Sequence, residues 1–120
     1  MPTRLMEVTI PCRRYAETKF FYSRILSMPI AKEGQHHAFL DTGGSLRIAL
    51  VDANQSNNLT RPTGRGAYFN LSCDDLVSIK RKLVAANIAV EDERSDEFGR
   101  NITVKDPEGN IVNLYQEGTF

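Results

Sequence analysis

The sequence predicts an α+β fold made of two β-α-β-β-β modules. Three observations predict it. One succession, an alternating segment, then a helical-period segment, then short strands, occurs twice along the chain. Cys12 and Cys73 stand at matching places in the two copies, after the first strand and before the helix. Between the copies lies Ala53 to Gly66, rich in Asn, Ser, Thr, Pro and Gly, which reads as a linker. Such a repeat implies two copies of one supersecondary unit, each too small to close a core alone, with module one near 5–52 and module two near 67–117.

In the first copy Val8 and Ile10 alternate with Glu7 and Thr9, the mark of a strand with one buried face. From Arg14 to Met28 the period changes: Phe21, Tyr22, Ile25 and Leu26 recur at helical spacing, and Pro29 is expected to end the helix. Strands are expected at Ile30 to Glu33, His37 to Asp41 and Leu46 to Val51, with Gly43-Gly44 turning the chain between the last two. The second copy begins at Tyr68, where Phe69 and Leu71 alternate with Tyr68 and Asn70. Asp74-Asp75 supplies an N-cap for a helix whose apolar stripe is Leu76, Ile79, Leu83 and Ala86. Strands at Ile88 to Glu93, Asn101 to Lys105 and Ile111 to Gln116 complete it, and Asp106-Pro107-Glu108-Gly109-Asn110 forms a tight turn.

Composition removes several function classes. At 120 residues with 41% apolar content the chain suits one globular domain. Fifteen Lys+Arg balance fifteen Asp+Glu, so no surplus charge is available to grip a phosphate backbone, and nucleic acid is not an expected partner. The opening MPTRLMEVTI lacks the apolar core of a signal peptide, and no stretch approaches the roughly 20 apolar residues of a membrane span. A cytoplasmic location away from membranes is the expectation. Two cysteines in such a chain are expected as buried, reduced thiols.

Strand parity divides the side chains into two sets. Val8, Ile10, Leu46, Ile48, Leu50, Phe69, Leu71, Ile102, Val104, Val112 and Leu114 form an apolar face that must carry the helices. The opposite face holds Glu7, Thr9, Arg47, Ala49, Tyr68, Asn70, Ser72, Thr103, Asn113 and Tyr115, joined by His37 and Phe39. Aromatic rings, amides, one acid and one Arg suit a lined cleft better than a plain solvated face. The expected ligand-binding residues are therefore Glu7, Thr9, His37, Phe39, Arg47, Tyr68, Asn70, Asn113 and Tyr115. Phe39, Tyr68 and Tyr115 would stack on a planar or aromatic small molecule, or else pack among themselves. Glu7 and Arg47 would pair with each other, grip a ligand, or both. His36 and His37 are adjacent, so only one can enter the face. Cys12 and Cys73 share parity with the apolar set and Ser72 has no assigned base, so no catalytic residue is expected.

Three stretches resemble the glyoxalase / bleomycin-resistance / extradiol-dioxygenase (vicinal oxygen chelate) superfamily. They are Glu7-Val8-Thr9-Ile10-Pro11 followed by Phe21-Tyr22, Tyr68 to Asp75, and Asp106-Pro107-Glu108-Gly109-Asn110 leading into Ile111 to Gln116. The resemblance implies that the modules' strands curve into a cupped mixed sheet, with helices outside and a ligand cavity inside. It also implies where metal-using members place ligands: Glu7 at the first position, Tyr68 where those enzymes carry His, Asn113 where they carry Glu, and Ala49 at the optional fourth. One carboxylate and an amide oxygen do not make a tight site for zinc, iron or manganese. No metal and no cofactor are expected.

The leading expectation is a metal-independent small-molecule-binding protein similar to bleomycin-resistance proteins, which sequesters its ligand. A neutral chain without Trp argues against bleomycin itself. The rival is a lyase, isomerase or dioxygenase whose metal is held by an unusual set including Glu7 and His37. A third reading is an interaction module whose dimer is its function. Because the linker would let the second half pack with its own chain or a partner's, a homodimer is expected, domain-swapped or not.

Overall fold

Alternation along the chain sets where strands form, and two changes of period set where helices interrupt them. The computed structural model describes residues 5–55, 68–96 and 99–117, with only the backbone of Tyr68, Asp96 and Glu117 at the edges of those ranges. The chain divides into two compact units, Met1–Thr63 and Gly64–Phe120. The expected linker lies outside the described residues from position 56 onward. Its first residue, Ala53, is buried and donates its N–H to the Cys12 carbonyl at 2.8 Å.

In the first unit, strand β1 (Glu7–Cys12) is followed by helix α1 (Tyr15–Phe20), β2 (Ile30–Glu33), β3 (His37–Asp41) and β4 (Arg47–Asp52). The sheet order is β1-β4-β3-β2, with β1 parallel to β4 and the other pairs antiparallel. The second unit repeats this plan. Strand β5 (Tyr68–Ser72) precedes helix α2 (Leu76–Ala85), β6 (Asp92–Asp96), β7 (Gly99–Lys105) and β8 (Ile111–Glu117), in the order β5-β8-β7-β6 with β5 parallel to β8. The fold is α+β, two β-α-β-β-β modules each with an open mixed sheet.

Most of the apolar parity set lies in the two cores, while Val8, Leu46, Phe69 and Leu71 are only half-buried. Ile10, Cys12, Ala38, Leu40, Ile48 and Leu50 are buried in the first unit with Phe21, Tyr22, Ile25 and Leu26. Phe21 and Tyr22 meet edge to face, ring centroids 5.1 Å apart. In the second unit Leu76, Ile79 and Leu83 are buried with Ile102, Val104, Val112 and Leu114. No helix among the described residues is long and apolar enough to cross a membrane.

Several expectations need correction. The first helix does not run unbroken from Arg14 to Met28. After Phe20 it widens into a π-helical turn over Phe21–Ile25 and stops at Leu26, because Ser27 takes a left-handed φ of 60° two residues before Pro29. The second helix has the expected cap, Ser78 N–H to Asp75 Oδ1 at 3.0 Å. It ends in a Schellman motif: Asn87 is left-handed at φ 59°, and Ile88 N–H and Asn87 N–H bond the Leu83 and Val84 carbonyls. Ala86 is thus the exposed C-cap and not part of the stripe. That same motif consumes Ile88, so β6 lies at Asp92–Asp96 and not at Ile88 to Glu93. Strand β4 begins at Arg47, one residue after Leu46. Both cysteines are thiols, but Cys73 is only half-buried: β5 ends at Ser72, so strand parity does not reach it.

Candidate functional site

On the first sheet, register places Glu7 beside Arg47 and Arg47 beside Asp41, then Thr9 beside Ala49 and Ala49 beside Phe39, then Val51 beside His37. Paired residues share a face, so Glu7, Thr9, Arg47, Phe39 and His37 lie together on the side opposite the core. Their side chains make one connected row. Arg47 Nε donates to Glu7 Oε1 at 2.6 Å, and Thr9 Oγ1 donates to Glu7 Oε2 at 3.0 Å. The Arg47 guanidinium leans over the small Ala49 onto the Phe39 ring, 4.2 Å from its centroid. His37 meets Phe39 at 5.1 Å with the rings tilted by 49°.

Two features hold this row in place. Gly34, in the turn before β3, lies so close to the His37 imidazole that a Cβ there would come within 2.4 Å of Cε1. The Gly34 N–H also bonds the His37 carbonyl at 3.0 Å. Second, the hydrogen bonds from Arg47 and Thr9 hold the Glu7 carboxyl below the usual carboxylate value, against a smaller opposing effect of burial. Glu7 is therefore an anion at neutral pH with both oxygens occupied. His36 is half-buried, and its carbonyl accepts from Asp52 N–H at 2.9 Å.

The second sheet carries different chemistry. Asn70, Asn113 and Thr103 are in register across β5, β8 and β7. Thr103 Oγ1 donates to Asn113 Oδ1 at 3.0 Å, and Asn113 Nδ2 donates to Asn70 Oδ1 at 3.3 Å. Asn113 is buried and Asn70 is exposed. Tyr115 follows in the next row, half-buried, in register with Ser72 and Asn101. The backbone register puts Tyr68 on this face beside Ile111, and its side chain lies outside the described residues. Asn101, 6% exposed, is a face residue that the sequence reading missed. Its parity with Thr103 was the available signal. The expected residues thus gather as two sets, five on the first unit's face and four on the second's.

The side chains do not suit a divalent metal. Glu7, at the family's first ligand position, spends both oxygens on Arg47 and Thr9; Ala49 has no donor; Asn113 spends its amide on Thr103 and Asn70. Among the described residues no group of three or more His, Cys, Asp or Glu side chains is placed to hold an ion. Cys73 is a poor nucleophile as well, since burial first, and Asp74 and Asp75 second, push its thiol up and disfavour the thiolate.

Comparison with known proteins places this geometry. The family model for the glyoxalase/bleomycin resistance protein/dioxygenase superfamily matches residues 4–114. No curated protein matches the sequence. Among solved structures, TnmS3, an antibiotic-binding protein from Streptomyces sp. CB03234, is 23% identical with a TM-score of 0.72, covering 98% of each chain. A glyoxalase/bleomycin resistance protein from the same organism is 24% identical at TM-score 0.70, over 94% of this chain and 100% of that one. Lactoylglutathione lyase from Agrobacterium tumefaciens is 20% identical at TM-score 0.65, over 96% and 94%. At these identities the likeness shows a shared fold.

Proposed function

Starting from the fact that the chain belongs to the glyoxalase/bleomycin resistance protein/dioxygenase superfamily, we propose that it is a metal-independent protein that binds and sequesters a small molecule. One observation carries this reading. The acid at the family's first metal position is locked in an ion pair with Arg47 and a hydrogen bond from Thr9, and beside that pair stand an aromatic ring and an imidazole instead of further anionic ligands. Such a face recognises a molecule by stacking and hydrogen bonds. Its ligand contacts are Glu7, Thr9, His37, Phe39 and Arg47 on the first unit; Asn70, Asn113 and Tyr115 make a separate, neutral face on the second. The similarity to an antibiotic-binding protein supports binding of a small molecule.

A thermal-shift screen of the full chain against a small-molecule library tests the proposal. A ligand at about 100 times its dissociation constant adds roughly 2.7 kcal/mol of stability, a shift of several degrees for a domain of this size. Metal analysis supplies the opposing result: stoichiometric zinc, nickel, manganese or iron in purified protein, released by Glu7→Gln, would require a metal-centred function instead.

A further inference from the structure

The largest hydrogen-bonding capacity left over on the first unit's face is that of a donor. A guanidinium has five N–H groups in a planar fork. Arg47 gives its Nε–H to Glu7, and no acceptor among the described residues takes the four on its terminal nitrogens. The acid that faces the guanidinium directly is fully engaged, and the next one partly. Both Glu7 oxygens accept bonds, and Asp41, next to Arg47 in register, accepts the Gly43 N–H at 2.8 Å. The fork is also held in place before any ligand arrives. Glu7 fixes its inner edge and Phe39 its flat face, while the side chain remains 49% exposed. A pre-oriented guanidinium loses less freedom on binding than a free one, and its spare edge matches the two oxygens of an anion.

Resting on the binding function proposed above, we infer that the ligand carries an anionic group, a carboxylate or a phosphate ester, which docks on the terminal nitrogens of Arg47. An unsaturated or aromatic body attached to that group packs on the open face of the guanidinium and against the rims of Phe39 and His37. The His37 ring lies 5.1 Å from Phe39, tilted by 49°, with Gly34 close against it, so the body meets two rings at an angle. A cationic ligand would have to break the Glu7–Arg47 pair to reach Glu7, whereas an anion uses donors that are idle. Glu7 repels the same anion from the far side of the guanidinium, so a bare ion without a planar body binds weakly here.

Titrations of the full-length chain with benzoate, phenyl phosphate, benzamidine and benzyl alcohol, followed by amide and arginine side-chain NMR signals, test the assignment. Benzoate or phenyl phosphate should shift the signals of β1, β3 and β4 and the Arg47 Nε–H saturably, and which of the two binds tighter tells carboxylate from phosphate. Benzamidine and benzyl alcohol should bind at least ten-fold more weakly. Arg47→Gln should weaken the anion at least ten-fold, and Arg47→Lys, which keeps charge without the fork, should fall between. Unchanged signals from the first unit's core at Phe21–Leu26 certify that each variant folds, and Phe39→Leu offers an independent loss of the aromatic contact. Benzamidine binding as tightly as benzoate, or benzoate binding indifferent to Arg47→Gln, overturns the anionic class while leaving small-molecule binding intact. Saturation by none of the four probes overturns it too, and a library ligand that binds independently of Arg47 would show that only this inference has failed.

Discussion

The Tyr15 hydroxyl is buried and has no hydrogen-bond partner among the described residues. Burial chiefly, and then the nearby Glu33, Cys12 and Asp52, raise its pKa, so it stays a neutral phenol throughout the working range. A buried hydroxyl without a partner costs folding energy that its removal returns, so Tyr15→Phe should leave stability unchanged or raise it by about 1 kcal/mol in urea denaturation. A clear loss would reveal a partner for the hydroxyl. Glu7 behaves in the opposite way. Its folded-state pKa is depressed below the ordinary 4.5 by the bonds from Arg47 and Thr9, so the stability it confers is complete above that value and disappears as pH falls through the folded one. Melting curves of the wild type and Glu7→Gln should therefore differ near pH 7, begin to converge below 4.5 and merge once the pH lies under the depressed folded value; a margin that persists when Glu7 is fully protonated contradicts the pairing. Parity alone brought Glu7, Arg47, Phe39 and His37 to one face of the sequence reading, since residues two apart on a strand must share a side. Gly34 against His37 was not legible, because a close approach across a turn leaves no trace in any period. Nor was the choice between Glu7 pairing with Arg47 and Glu7 gripping a ligand, which depends on rotamers.

Turns and caps show how unequal the contributions within one element are. In the turn between β7 and β8 the buried Asp106 carboxylate accepts three hydrogen bonds, from the N–H groups of Glu108 and Asn110 at 2.9 and 2.8 Å and from Asn110 Nδ2 at 2.9 Å. Gly109 contributes the left-handed φ of 91°. Asp106→Ala would leave buried donors without partners at a cost of about 3 kcal/mol, against about 1 kcal/mol for Gly109→Ala, which only strains the backbone. Chemical denaturation of the two variants checks the ranking, and equal losses would contradict it. Such a turn is visible in sequence because Asp-Pro-Glu-Gly-Asn carries its own conformational chemistry. β6 was misplaced for the converse reason: Asp-Glu-Arg-Ser-Asp has no alternation, and its strand character comes from pairing with β7, a contact distant in sequence. The π-helical turn in the first helix was likewise hidden, since Phe21, Tyr22, Ile25 and Leu26 fit an ordinary helical stripe and are all buried as expected.

At the scale of the whole molecule, the two sheets expose unequal edges. β2 is four residues long, is interrupted by a register shift between Ile30 and Lys32, and carries Lys32 and Glu33; four of the five residues of β6 are charged. Those are the devices that keep a sheet edge from pairing with another chain. The other edge strands, β1 and β5, carry fewer charges: β1 has Pro11 near its end but a single charge, Glu7, already tied to Arg47, and β5 has none. Just before β1, Leu5 and Met6 are 69% and 66% exposed. An edge with little charge beside exposed apolar side chains favours association of like copies, and a two-fold axis lets the same edge serve both partners. Sedimentation at tens of micromolar should therefore give a particle of twice the 13.5 kDa chain mass. Replacing Leu5 and Met6 together by Asp should return it to one chain mass without altering the melting of a dilute sample. Subunit exchange between differently labelled dimers then separates the two ways of building it, since exchanging whole modules requires unfolding and is slow whereas simple edge pairing exchanges quickly. A single chain mass at every concentration would show that β1 and β5 are protected in some other way.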